Sequence, residues 1–141
     1  MKAAGWAIIT ATVAGAALAD DAGDAAPARP SSVLNTVLTA EEARAELFGV
    51  HLSGVVASTA VKWSECIDPD GRTVFTLDGE DRSGVLAIRD NGEACFDYGD
   101  GANCFRVTRA PRGYIFWGAP RYETTEVRRD VEACFSGAPI G

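Results

Sequence analysis

Beyond Gly49 the chain meets turn-forming residues roughly every ten positions, and that spacing confines it to short strands. The turns are Ala57-Ser58-Thr59, Asp68-Pro69-Asp70-Gly71, Asp78-Gly79-Glu80-Asp81, Asp90-Asn91-Gly92, Gly99-Asp100-Gly101, Pro111-Arg112-Gly113 and Gly118-Ala119-Pro120. Between them lie runs rich in Val, Ile, Thr and aromatics, at about 50–56, 60–67, 72–77, 83–89, 93–98, 103–109 and 113–118. Strands this short with connections this tight pair with their sequence neighbours. The expected fold is mainly β, an antiparallel meander closing into a small barrel or sandwich of seven or eight strands, lipocalin-like in outline, because closure removes exposed edges. One short N-terminal helix precedes it at about 40–48. Thr39 and Glu42 fit a capping box, Ala43, Leu47 and Phe48 share a face, and Gly49 supplies the stop. Residues 124–135 fit two periods. Val127, Val131 and Phe135 suit a helix face, and with Arg129 and Ala133 they also suit one face of a strand; an eighth strand is the expectation.

The segment Ala94 to Phe105 carries a register argument. A two-residue turn at Gly99-Asp100 places Cys95 opposite Cys104, at a pair where the α-carbons approach closely. A longer turn would misalign them. Four cysteines allow three pairings. If Cys95 joins Cys104, then Cys66 joins Cys134, closing a long loop that pins the C-terminal segment to the second strand. A zinc site is the rival, but there is no C-x-x-C, and the single histidine, His51, is remote from the cysteines in sequence.

Disulfides need an oxidising compartment, and the N-terminus predicts one. Met1-Lys2 is followed by an uncharged apolar run from Ala3 to Leu18, and Ala17-Leu18-Ala19 forms a small-x-small cleavage site. Residues 1–19 are expected to be a signal peptide, 20–37 a disordered linker rich in acidic residues, Ala and Pro, and 38–141 one disulfide-stapled domain. Export to the periplasm or medium follows, with no membrane span after cleavage. Without residues 1–19 the chain keeps 12 basic and 20 acidic residues, a net charge of −8. A phosphate backbone is repelled by that balance, so nucleic acid is not an expected partner.

Catalytic signals are sparse. His51 has Ser53 two residues on, but no orienting carboxylate or G-x-S-x-G accompanies them. Asp68-Pro69-Asp70-Gly71 begins like a calcium loop, yet Arg72 stands where a fifth-position ligand belongs; Asp78, Glu80 and Asp81 could still converge. No catalytic residue, metal site or cofactor is expected. Trp63, Phe75, Phe96, Phe105, Phe116 and Trp117 fall in predicted strands, where they either pack the core or line a pocket inside a barrel.

The outline Leu38-Thr39-Ala40-Glu41-Glu42, Leu47-Phe48-Gly49, Trp63-Ser64-Glu65, Pro69-Asp70-Gly71, Ala94-Cys95-Phe96-Asp97-Tyr98, Cys104-Phe105-Arg106-Val107 and Gly113-Tyr114-Ile115-Phe116 resembles small exported bacterial β-proteins of a domain-of-unknown-function type, over residues 38–118. The resemblance carries no catalytic residue over. In architecture alone, the arm at 20–37 before a small barrel is also similar to periplasmic metalloprotease inhibitors. These readings lead to a non-catalytic binding or inhibitory domain whose partner is another envelope protein. The alternative is a lipocalin-like carrier of a small apolar ligand, which an apolar cavity would favour. Convergence of His51 with Ser and carboxylate groups would favour an enzyme.

Overall fold

The computed structural model describes residues 35–129 together with Val131 and Cys134. The leader, residues 20–34 of the linker, and Phe135 with the residues after it lie outside the described residues. Helix α1 spans Ala40–Glu46 and is followed by eight strands: β1 Val50–Val56, β2 Lys62–Ile67, β3 Arg72–Leu77, β4 Glu80–Ile88, β5 Ala94–Asp97, β6 Ala102–Ala110, β7 Gly113–Trp117 and β8 Tyr122–Arg129. Each strand pairs antiparallel with the next, and β8 pairs with β1, so the sheet is a closed barrel. Closure leaves no strand edge free, which is the advantage that selects a barrel over an open meander.

Local chemistry explains the boundaries. The Thr39 hydroxyl accepts from the Glu42 N–H while the Glu42 carboxylate accepts from the Thr39 N–H, the expected capping box. Strand β4 starts at Glu80, ahead of the predicted 83. Asp78 and Gly79 both take positive φ, +50° and +82°, which suits a two-residue type I′ turn. Leu77 therefore pairs directly with Glu80, and the predicted four-residue turn shrinks to two. The eighth strand expected over 124–135 forms as Tyr122–Arg129, two residues earlier at its start, and Val131 and Cys134 lie outside it. Its register against β1 skips Thr125, and this bulge lets both Thr124 and Val127 turn toward the interior.

Order begins before the predicted Leu38. Strand β6 continues past its last partner in β5, where Ala94 opposes Phe105, and the backbone so freed needs partners. Asn35–Leu38 supply them: Asn35 N–H donates to the Arg109 carbonyl at 2.8 Å, Arg109 N–H to Thr36 at 3.0 Å, and Leu38 N–H to Val107 at 2.9 Å. Residues 35–37 thus belong to the domain, not to the linker.

The two disulfides join Cys66 to Cys134 and Cys95 to Cys104, with α-carbons 5.6 and 4.0 Å apart. Cys95 stands directly opposite Cys104 in the β5–β6 ladder, the register that the two-residue turn requires.

The barrel's two ends differ. Where β1 begins, α1 lies across the opening and buries Leu38, Ala43 and Leu47 against Val50, Leu52, Ile67, Leu86 and Val107. A polar cluster fastens it. The Arg109 guanidinium pairs with the Glu42 and Glu46 carboxylates. The Tyr114 O–H donates to Glu46 at 2.7 Å, and Arg129 donates to the Glu46 carbonyl at 3.0 Å and to the Tyr114 oxygen at 2.6 Å. The opposite end has no helix over it among the described residues.

Two predictions follow from this packing. Leu47→Ala, at a side chain with no solvent exposure, should lower unfolding free energy in urea by about 3 kcal/mol, the cost of an unfilled core cavity. Replacing Cys66 and Cys134 by Ser should cost about 4 kcal/mol, against about 3 for Cys95 and Cys104. The first pair spans 68 residues and the second 9, and loop entropy grows with length.

Candidate functional site

Strand β2 alternates Trp63, Glu65 and Ile67 inward with Ser64 and Cys66 outward, so period two places a carboxylate on the barrel's apolar face. Glu65 is 4% exposed. Around it, at the helix-free end, inward positions of β3, β5, β6, β7 and β8 contribute Phe75, Phe96, Phe105, Phe116 and Tyr122, and the residue just after β5 contributes Tyr98. With Trp63 these rings and Glu65 line a cavity of about 150 Å³, rimmed by Arg82, Asp100, Gly101 and Asn103.

The rings hold one another edge to face. Trp63 meets Phe116 and Tyr122 with centroids 6.2 and 5.6 Å apart, and Phe105 meets Tyr122 at 5.8 Å. These are favourable quadrupole geometries, and they stabilise the wall. Space remains because large rings from facing strands meet at their edges and cannot interdigitate as aliphatic side chains do. The Trp63 indole nitrogen is buried and has no hydrogen-bond partner among the described residues.

Glu65 is held by two hydroxyls. The Tyr98 O–H reaches its two oxygens at 2.9 and 2.8 Å. The Thr73 hydroxyl contacts Oε1 and also lies 2.9 Å from the Cys66 carbonyl. Thr73 has a single proton. When it donates to the Cys66 carbonyl, Glu65 must bring its own proton to the Thr73 oxygen; when Glu65 ionises, Thr73 can turn its proton to the carboxylate. The cluster is therefore satisfiable in both charge states. Burial pushes the Glu65 carboxyl up to about 7, against the pull of the Thr73 and Tyr98 hydrogen bonds. Burial likewise pushes the Tyr98 phenol far up, and the neighbouring carboxylate adds to this.

Gly84 on β4 makes room for Tyr98. A β-carbon there would sit 2.4 Å from the Asp97 carbonyl oxygen and 2.5 Å from Tyr98 Cδ1. At the rim, Arg82 pairs with Asp100 at 2.9 Å and lies over the Tyr98 ring, 5.3 Å from its centroid. The cationic rim group is thereby neutralised.

The residues singled out in the sequence separate into two groups. Trp63, Phe75, Phe96, Phe105 and Phe116 converge at the cavity. Trp117 does not: adjacent to inward Phe116, it must face outward. Its indole N–H donates to Thr108 at 2.8 Å, and Arg121 and Arg106 stack over it at 5.1 and 5.8 Å. His51 and Ser53 lie half-buried on the outer face of β1, with Arg128 and Glu126 beside them in the β1–β8 register. His51 Nδ1 is buried without a partner among the described residues, so no triad is assembled there. Burial, then Arg128, lowers the His51 pKa. Asp68 and Asp70 both pair with Arg72, and Asp68 also accepts from the Cys134 N–H. Among the described residues no three His, Cys, Asp or Glu side chains converge as a metal site. Sequence reasoning missed Glu65, Tyr98 and Tyr122. The signal for Glu65 was present: Trp63-Ser64-Glu65-Cys66-Ile67 puts one acid in phase with apolar neighbours.

No protein-family model matches the chain, no curated protein matches it, and no solved structure matches it.

Because Glu65 binds its proton more tightly when folded, the native state holds extra proton between pH 4.5 and about 7. Stability from this group is present below that window and is lost as pH rises through it, by about 3 kcal/mol in all. Urea unfolding of wild type and Glu65→Gln at pH 5 and pH 8 should show the loss in wild type only. Subtracting the variant removes contributions from His51 and the surface acids. Equal pH dependence in the two proteins would mean that Glu65 ionises normally.

Proposed function

We propose that this protein is a non-catalytic, exported binding barrel that takes a small ligand into its helix-free end. The observation that carries the reading is the cavity of about 150 Å³ walled by seven aromatic side chains. Ligand sites in small barrels occupy the mouth, and an eight-stranded interior is just wide enough for side chains or one small ligand. Here the division runs along the axis, with packed side chains and α1 at one end and open aromatic space at the other. A cavity of this size is comparable to one that admits benzene when engineered into a protein core. The ligand body is therefore compact, about the size of one six-membered ring.

Several observations support a carrier over an enzyme. The buried carboxylate is held by hydroxyls, and no serine, cysteine, lysine or histidine stands among the cavity residues. Two disulfides suit an oxidising compartment, in keeping with the predicted leader. Among the described residues, no helix is long and apolar enough to cross a membrane.

Benzyl alcohol, a one-ring neutral probe, should quench or shift the fluorescence of Trp63 in the cavity wall and raise the unfolding midpoint in proportion to its occupancy. Asn103→Trp, which places a large side chain at the rim, should weaken that binding at least roughly tenfold, since truncating or blocking a compact site forfeits most of its burial. Unchanged binding in Asn103→Trp would place the probe elsewhere and remove this reading.

A further inference from the structure

We propose that the ligand is a protonated amine with a compact apolar body, its ammonium group bound by Glu65 and its body enclosed by the aromatic wall. The inference rests on the binding-barrel reading above and adds the charge and chemistry of the ligand.

Three observations converge on a cation. The first is the charge inside the cavity. Its charged lining groups are Glu65, Arg82 and Asp100. Arg82 and Asp100 neutralise each other at 2.9 Å, so the ionised Glu65 is left without a cationic partner in the cavity. A buried carboxylate without a counter-ion is costly, and a ligand ammonium supplies the missing charge. The second is hydrogen-bond capacity. A carboxylate offers about four acceptor positions. Among the described residues, Thr73 and Tyr98 address Oε1, whereas Oε2 accepts only from the Tyr98 hydroxyl, whose one proton is shared between both oxygens. Acceptor positions on Oε2 therefore remain for a ligand N–H. The third is the wall. Aromatic faces attract ammonium groups, and cages of them are a recurrent device for binding organic cations. The chain's overall charge of −7 adds an attractive field at longer range.

An anion is disfavoured by the same groups, because it would stand against Glu65 and find Arg82 already paired. A neutral apolar molecule would use the rings but leave the carboxylate unanswered; it would bind best when Glu65 carries its proton. An amine must bind best when Glu65 has lost it. The ligand's charge is thus readable from pH. Besides Glu65, the titratable groups facing this space are Tyr98 from the end of β5, Tyr122 from β8, Arg82 from β4 and Asp100 from the β5–β6 turn. The two phenols are pushed up by burial and the Asp100 carboxyl is lowered by its hydrogen bond to Arg82, so Glu65 is the group that titrates near neutrality.

The test uses three probes of one shape and different charge: benzylamine, benzyl alcohol and benzoate, titrated calorimetrically into the purified protein. At pH 8 benzylamine should bind at least roughly tenfold tighter than benzyl alcohol, the worth of a hydrogen bond to a charged group, and benzoate weakest. Between pH 8 and pH 5.5 benzylamine should weaken roughly 30-fold, as the ionised fraction of a group with pKa about 7 falls. At pH 7 its binding should release about half a proton, read from buffers of different ionisation heat. Glu65→Gln should bind benzylamine and benzyl alcohol equally. If that variant does not fold, the pH and proton-release measurements on wild type decide alone. Benzyl alcohol binding as tightly as benzylamine at pH 8, with no pH dependence for the amine, would overturn the amine inference and leave the binding barrel standing. Failure of all three probes to bind would overturn both.

Discussion

Pairing of β8 with β1 is the constraint on which everything else depends. Until that ladder closes, alternation along each strand assigns side chains to two faces but does not make either one an interior. Once it closes, one face of all eight strands shares a single enclosed space. Trp63 of β2 and Tyr122 of β8 then meet over β1 although they are far apart in the chain, and Glu65 is cut off from water. The bulge at Thr125 and the Cys66–Cys134 disulfide both act on this last strand or just beyond it. One of the two disulfides and the bulge thus act where the chain must return to its start.

The enclosed space is filled unevenly for a chemical reason. At the α1 end the inward residues are mostly aliphatic, and they pack into one buried cluster with Leu38, Ala43 and Leu47. The charged groups there, Glu42, Glu46, Arg109 and Arg129, find partners among themselves and Tyr114. At the other end the inward residues are rings. Rings that meet edge to face fix one another but leave an irregular gap, and the one acid among them has hydroxyls for company and no cation. One end is therefore a stable plug and the other a polarised, apolar-walled recess. The same asymmetry separates the part of the barrel that is filled from the part that leaves a cavity.

The architecture was largely legible because it depends on local signals. Turn residues at regular spacing set the strands, the Thr39 and Glu42 pair set the helix start, and the two-residue turn at Gly99-Asp100 fixed Cys95 opposite Cys104. Errors arose where a local signal admits two geometries. Asp78-Gly79-Glu80-Asp81 reads as a four-residue turn, yet Asp-Gly alone suffices when both residues take positive φ. Asn35–Val37 look like linker because they lack period; what orders them is the unpaired half of β6, which no stretch of nearby sequence announces. Trp117 reads as a core or pocket aromatic by composition, yet its neighbour Phe116 already occupies the inward phase.

The candidate site was legible only in fragments. The amino-acid sequence by itself determined the strand phases, and hence that Trp63, Glu65 and Ile67 share a face, because alternation is a property of one strand's backbone. It also determined the disulfide register, which one hairpin fixes. Only the tertiary structure decided that Glu65 would be buried, that Tyr98 and Thr73 would be its partners, and that Arg82 would be spent on Asp100. Those contacts join residues of different strands, and their distances follow from barrel closure and ring packing. Burial and pairing, which give a carboxylate its charge state, are properties of the surrounding volume, and no single strand carries that information.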